Sequence, residues 1–170
     1  MNFINCYDNI LSKDICDTII QISRDSLKLD RVKHNKEGRN YYRIPSEYFE
    51  LVNNEISSSI KSTFAKYKEE YNLDQIYHYS YKVHYNPVGG YIDWHDDHGG
   101  NTESSWKRKL VFILYLNDLE EGELQFKYFP GVCIMPKAGR CIIMPTGWTH
   151  SHKADKLFEE KFILTGFFSL

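Results

Sequence analysis

Tyr91-Ile92-Asp93-Trp94-His95-Asp96-Asp97 is the stretch on which the reading of this chain turns. Residues two apart on an extended strand point to the same side. His95 and Asp97 are therefore predicted to present an imidazole and a carboxylate side by side. That pair makes two thirds of a 2-His-1-carboxylate set, which grips one face of a metal ion and leaves the opposite positions open. The third ligand has to be a histidine delivered by the fold. Trp148-Thr149-His150-Ser151-His152 offers two candidates, and Lys161 follows as a cation entering an apolar run. His150 and His152 would share one strand face, so the pattern alone leaves both open. Asp96 and His98 alternate away from the His95/Asp97 side.

The segments on either side read as strands. Tyr79, Tyr81, Val83 and Tyr85 alternate with Ser80, Lys82 and His84, giving a period-2 strand over 77–85. Asn86-Pro87-Val88-Gly89-Gly90 is a turn. Gly99-Gly100-Asn101-Thr102 opens a flexible loop over 98–107. Leu110 to Leu116 is apolar without interruption, as expected of a strand buried on both faces. Turns at Glu120-Glu121-Gly122 and Lys137-Ala138-Gly139-Arg140 lead into Glu123–Phe126 and Cys141–Met144, and Phe162–Phe168 is a last strand.

Toward the N-terminus the period lengthens. Residues 3–7 suggest a short strand, and 13–27 a helix with Ser12 as N-cap. A second helix opens near Pro45-Ser46-Glu47, with Ser46 a candidate cap. Phe49, Val52, Ile56, Ile60, Phe64 and Tyr67 recur at three- and four-residue steps, a stripe for packing on a sheet. Between the helices, residues 30–43 are polar and mostly basic. They read as a solvated loop, or alternatively as a mobile flap meeting substrate. Two helices followed by about seven or eight short strands imply an α+β, mainly β fold with helices packed on a sandwich or barrel.

The 170 residues fit a single domain spanning 1–170, with 1–75 as helical support and 76–170 as the catalytic core. Hydrophobic content of 42% excludes disorder, and a net charge near −2 gives no global attraction to nucleic acid or membrane. The longest apolar run is too short to span a bilayer. The start Met1-Asn2-Phe3-Ile4-Asn5 lacks signal-peptide character, so a cytoplasmic location is expected. Cys6, Cys16, Cys133 and Cys141 form no C-x-x-C pair and read as reduced thiols.

Taken in order, these motifs resemble the Fe(II)- and 2-oxoglutarate-dependent dioxygenases, in their prolyl 4-hydroxylase-like branch. Tyr85 to Tyr91 is similar to the family's Tyr, glycine turn and Tyr, and His95-x-Asp97 to its H-x-D. Tyr115-Leu116-Asn117 is similar to the end of its central strand. Glu121-Gly122-Glu123-Leu124-Gln125-Phe126 resembles its G-G-x-L-x-F hairpin, with Glu121 in the first glycine position. Pro136-x-x-Gly139-x-x-Ile142-Ile143-x-Pro145 resembles a further motif, with Met144 in its Phe position. His152 followed by Lys161 matches the family's distal histidine and basic residue. That spacing selects His152 over His150.

The resemblance implies a double-stranded β-helix, the jelly roll of cupin-like proteins, with N-terminal helices on one sheet. It implies Fe(II) held by His95, Asp97 and His152, with 2-oxoglutarate as cosubstrate and O2 as oxidant, and ascorbate in a supporting role. Lys161 would reach the far carboxylate of 2-oxoglutarate, with Tyr85 and Tyr115 as phenol donors beside it. The expected reaction is hydroxylation of a C–H bond with release of succinate and CO2, most directly on a prolyl residue of a peptide or protein. Other amino acids or small metabolites are alternatives, because fold and cofactor do not name a substrate. A non-catalytic jelly-roll binding module and a zinc hydrolase are the competing classes. The first would not need Lys161, and the second would act without oxygen. Loops 31–43 and 98–107 are the expected substrate contacts.

Overall fold

The computed structural model describes residues 1–29, 32–36, 39–74, 78–99 and 102–169. The chain begins with β1 (Asn5–Tyr7) and α1 (Lys13–Leu29), followed by a hairpin of β2 (Val32–Lys36) and β3 (Arg39–Pro45). A 3-10 segment over Ser46–Val52 runs into α2 (Asn53–Tyr71). The β-rich part comprises β4 (His78–Asn86), β5 (Ile92–His95), a short α3 (Glu103–Trp106), β6 (Arg108–Tyr115), β7 (Leu124–Phe126), β8 (Cys133–Ile134), β9 (Cys141–Pro145), β10 (His152–Ala154) and β11 (Lys161–Ser169).

Hydrogen-bonded neighbours follow the order β1-β9-β6-β11-β4-β3-β5-β10-β7-β8, with β2 added on β3. All the pairings are antiparallel. The ladder curls back on itself, so that β5, β10 and β7 face the inner side of β6 and β11. This is the mainly β, double-stranded β-helix architecture. No described helix is long and apolar enough to cross a membrane.

Strand alternation divides the interior into two cores. Leu110, Phe112, Leu114 and Leu116 pack with Phe162, Leu164 and Phe168 against the helices. Val111, Ile113 and Tyr115 point the other way and meet Ile163, Ile142, Leu124 and Phe126 between the sheets. A strand covered on both faces has no polar side, which is why Leu110–Leu116 is apolar throughout. The helical stripe Phe49, Val52, Ile56, Ile60, Phe64 and Tyr67 is buried in the helix-side core as expected. Each such side chain contributes about 1.5–3 kcal/mol by leaving water.

Local signals hold at some termini and fail at others. Ser12 caps α1, its hydroxyl accepting from the Ile15 N–H at 3.3 Å. Ser46 does not cap the second helix. Pro45 occupies the cap position without a side-chain hydrogen bond, and Ser46 already lies in the 3-10 turn. The reading of 30–43 as a loop is corrected: 32–36 and 39–45 pair as strands, and β3 continues onto β4 through Tyr42↔Tyr85 and Ile44↔Val83. Its polar composition misled because a strand bordering a solvated cavity needs no apolar alternation. Residues 30, 31, 37 and 38 of that stretch lie outside the described residues, as do Tyr77, Gly100 and Asn101. The loop expected over 98–107 contains α3 at Glu103–Trp106.

Gly166 sits where β4, β6 and β11 crowd together. A Cβ there would lie 1.9 Å from the Ser80 carbonyl oxygen and 2.7 Å from the Phe112 ring. Gly166→Ala is expected to lower unfolding stability by about 1–3 kcal/mol or more through overpacking. Gly147→Ala, which meets nothing within 4 Å, should shift it by less than about 0.5 kcal/mol. Urea unfolding followed by circular dichroism measures both.

Candidate active site

Strand pairing builds the centre of the site. His152, the first residue of β10, is the direct partner of His95 at the end of β5, and Phe126 of β7 flanks it on the other side. The two imidazole rings lie 4.3 Å apart between centroids. Asp97 lies just past the end of β5, so strand alternation alone does not aim it. The turn that carries it is fixed from outside. The N–H groups of Asp97 and His98 both donate to the Thr146 carbonyl at 3.0 Å, and Arg108 Nη1 donates to the Asp97 carbonyl at 3.2 Å. One ligand-capable atom from each of His95, Asp97 and His152 lies within 4.8 Å of the others.

The donor set fits a metal ion. His95 Nδ1 lies 2.8 Å from the Asp93 carbonyl, and His152 Nδ1 lies 2.9 Å from the His150 carbonyl. A carbonyl only accepts, so both Nδ1 atoms carry the proton and both Nε2 lone pairs are left for a ligand role. His152 Nε2 is 3.7 Å from Asp97 Oδ2, with His152 buried and Asp97 partly so. Two neutral imidazoles and one carboxylate on a single side can hold a ferrous ion with positions left open opposite.

His150 is not part of this group. It closes a 3-10 turn rather than sharing a strand with His152. Its Nε2 donates to the Asn2 carbonyl at 2.7 Å and its Nδ1 accepts from the Thr149 hydroxyl at 2.9 Å. Trp94 and Trp148 do not wall the cavity either. Trp94 is exposed beneath the Lys153 ammonium, and Trp148 is exposed against Tyr128.

The cavity beside the three residues has a volume of about 150 Å³ and an open mouth. Lys161 lines its inner end and is only 4% exposed. Its Nζ points at the Gly122 carbonyl at 3.4 Å. Burial pulls its pKa down to about 8, partly opposed by Glu123 and Glu121. The start of β11 is clamped on both sides. Asn117 donates to the Glu160 carbonyl and accepts from the Phe162 N–H, and Asn86 donates to the Lys161 carbonyl. Gly122 (φ 72°) belongs to the same end, where an added Cβ would strike Leu157 at 2.3 Å.

Tyr115 faces the cavity one row from Lys161, opposite Ile163. Burial pushes its phenol pKa up, which keeps it a proton donor. Tyr85 is turned to the other face, which corrects the expectation for it. The structure packs it with the helix-side core against Phe162 and Tyr42, and its hydroxyl donates to Glu160 at 2.7 Å. The β4–β11 register explains this: Asn86, not Tyr85, pairs with Lys161. Tyr85 therefore alternates outward.

Lys82, His84 and Arg108 on the cavity lining escaped the sequence reading, whereas Arg43 ends the basic stretch expected to meet substrate. Lys82 and His84 were visible as the polar half of the alternation in β4, which reads as a solvent face. Here that face lines the cavity.

Comparison with known proteins follows the same lines. A family model described as the 2OG-Fe(II) oxygenase superfamily matches residues 78–169. No curated protein sequence matches. Among solved structures, a viral collagen prolyl hydroxylase from Paramecium bursaria Chlorella virus-1, in a 2OG complex, has TM-score 0.75 at 20% identity, covering 98% of this chain and 96% of that one. A Pseudomonas putida prolyl-4-hydroxylase has TM-score 0.76 at 15% identity, with 99% and 93% covered. A Trichoplax adhaerens prolyl hydroxylase, in complex with a hypoxia inducible factor oxygen degradation domain peptide, has TM-score 0.78 at 14% identity, with 99% and 84% covered. At these identities the likeness is one of fold. With the family match spanning more than half of the sequence, the chain belongs to the 2OG-Fe(II) oxygenase superfamily and is a 2-oxoglutarate-dependent dioxygenase.

Proposed function

We propose that His95, Asp97 and His152 bind Fe(II), that Lys161 and Tyr115 receive 2-oxoglutarate, and that the chain hydroxylates a prolyl residue of a peptide or protein, releasing succinate and CO2. One observation carries this reading: the three ligand-capable side chains and the buried Lys161 ammonium open onto one cavity. The fold shared with prolyl hydroxylases, one of them holding a peptide, supports a prolyl peptide as substrate.

The residues divide the work. His95 and His152 donate Nε2 lone pairs because backbone carbonyls fix their tautomers. Asp97 neutralises part of the ion's charge. Lys161 attracts the far carboxylate of the cosubstrate through a charge-assisted hydrogen bond in a low-dielectric end of the cavity. Tyr115 offers a phenol donor nearby. Val111, Ile113, Ile163 and Leu124 line the same cavity with apolar surface and limit water. Bound iron and 2-oxoglutarate supply the oxidising chemistry, with dioxygen as oxidant and ascorbate keeping the iron ferrous. A cytoplasmic setting fits the four free thiols.

Three outcomes test this. Proline-bearing peptides incubated with enzyme, Fe(II), ascorbate and 2-oxoglutarate should gain one oxygen on proline by mass spectrometry. Modification of proline-free targets only would remove the prolyl assignment. In calorimetric titrations with Mn(II), His152→Ala should lose at least about 100-fold in affinity, an upper-end ligand-shell effect. His150→Ala should keep metal affinity within about threefold while losing about 1–3 kcal/mol of stability from its broken buried hydrogen bonds. Equal losses at both positions would reverse the ligand choice. The third outcome concerns pH. Lys161 is charged below about 8 and neutral above it. Affinity for 2-oxoglutarate should therefore be full below that value and fall as pH rises through it. Lys161→Arg, whose guanidinium stays charged, should flatten the upper limb of that profile.

A further inference from the structure

Cationic side chains line the cavity beyond the one assigned to the cosubstrate. A ferrous ion and Lys161 bring three positive charges, and Asp97 with the two carboxylates of 2-oxoglutarate answers them. Arg43, Lys82 and Arg108 lie on the same lining, and Asp97 is the one acidic side chain on it among the described residues. These three cations gather at one place. Arg108 stacks on the Phe167 ring at 3.8 Å and Lys82 Nζ approaches the same ring at 5.7 Å. On β3 and β4 the register pairs Arg43 with His84 and Pro45 with Lys82, so Arg43 and Lys82 are diagonal neighbours on the cavity face. Phe167 lies on β11 six residues beyond Lys161, so this cluster is separated along the strand from the cosubstrate end.

Like charges do not collect in a partly desolvated cavity without cost. Among the described residues, Arg43 Nε is buried with no hydrogen-bond partner, and Arg43 Nη2 reaches the Tyr41 hydroxyl at 3.5 Å. Arg108 commits one N–H to the Asp97 carbonyl. The remaining guanidinium edges of both arginines suit a planar, two-oxygen acceptor.

We propose that Arg43, Lys82 and Arg108 form a second anion subsite that holds a carboxylate of the substrate, so that the enzyme selects substrates with a negative charge next to the hydroxylated residue. The proposal rests on the oxygenase reading above and narrows its substrate class. The carboxylate has two possible sources: an acidic side chain beside proline in a peptide, or the main-chain carboxylate of a free amino acid. Arg108 also ties this subsite to the metal strand, because its contact to Asp97 places the anion beside the reacting centre.

Four probes distinguish the sources: acetyl-Glu-Pro-amide against acetyl-Gln-Pro-amide, and L-proline against L-prolinamide. Each is titrated calorimetrically into the chain loaded with Mn(II) and 2-oxoglutarate. The carboxylate-bearing member of one pair is expected to bind at least tenfold tighter, with the margin shrinking as salt is raised. The pair that shows the margin names the source. Arg43→Gln and Lys82→Gln, each checked for an unchanged circular dichroism spectrum, should cut the margin to twofold or less. Equal binding within both pairs, or no binding by any probe, overturns the subsite. A margin that survives both substitutions overturns it as well. Binding of 2-oxoglutarate to the Mn(II)-loaded wild-type chain is read first. Its absence would remove the oxygenase reading, and the same four probes titrated into the chain alone would still decide the anion subsite.

Discussion

The direct pairing of His152 with His95 across β5 and β10 is the constraint on which the site depends. These residues are 57 positions apart, and neither strand is long. β5 has four residues and β10 three. Short strands hold register weakly by themselves. Here the register is supported from the far side by β7, which pairs Phe126 with His152 and Leu124 with Ala154. The turn after β5 is tied to Thr146 at the exit of β9. Thus the arrangement of His95, Asp97 and His152 is set by backbone hydrogen bonds from several strands rather than by contacts among the three side chains. The same backbone fixes which nitrogen of each imidazole carries its proton.

The Lys161 end of the cavity shows a second use of backbone groups. Lys161 is a buried cation in front of a carbonyl oxygen, with no carboxylate in salt-bridge contact among the described residues. That is an unfavourable state for an ammonium, and the lowered pKa records it. A long flexible side chain would normally escape to solvent. The Asn117 and Asn86 contacts hold the backbone of β11 in place, and Phe162 and Leu164 bury their side chains in the helix-side core. The lysine is held where a dicarboxylate would meet it.

Most of the fold was legible in the sequence because its signals are periodic. The stripe from Phe49 to Tyr67 and the unbroken Leu110–Leu116 run name a helix and a doubly covered strand from hydrophobicity alone. His95 and Asp97 were legible as a pair by spacing, although Asp97 owes its position to a turn. The distinction between His150 and His152 was not legible from strand pattern, because His150 belongs to a 3-10 turn whose presence no residue announces. Tyr85 was misplaced by one position. The parity of β4 against β11 is set by a long-range pairing, Lys161 with Asn86, that composition does not reveal. Residues 32–45 failed for a different reason: Tyr41 and Arg43 of β3 line the cavity, and a cavity-lining face does not show the apolar alternation that marks a strand.

The two-core construction has a consequence for how this chain tolerates change. On β6 the even-numbered residues from Leu110 serve packing on the helices, and the odd-numbered ones face the cavity. On β11 the assignment is the same, with Lys161, Ile163, Thr165 and Phe167 toward the cavity and Phe162, Leu164 and Phe168 toward the helices. Swapping one residue for another disturbs one role at one place. Inserting or deleting a single residue inside either strand would exchange the two roles along everything that follows, sending Leu or Phe into the cavity and Tyr115 or Ile163 against the helices. Length variation in these strands is therefore closed to this scaffold, and diversification is channelled into point changes on the cavity-facing parity and into the connections beyond the strand ends.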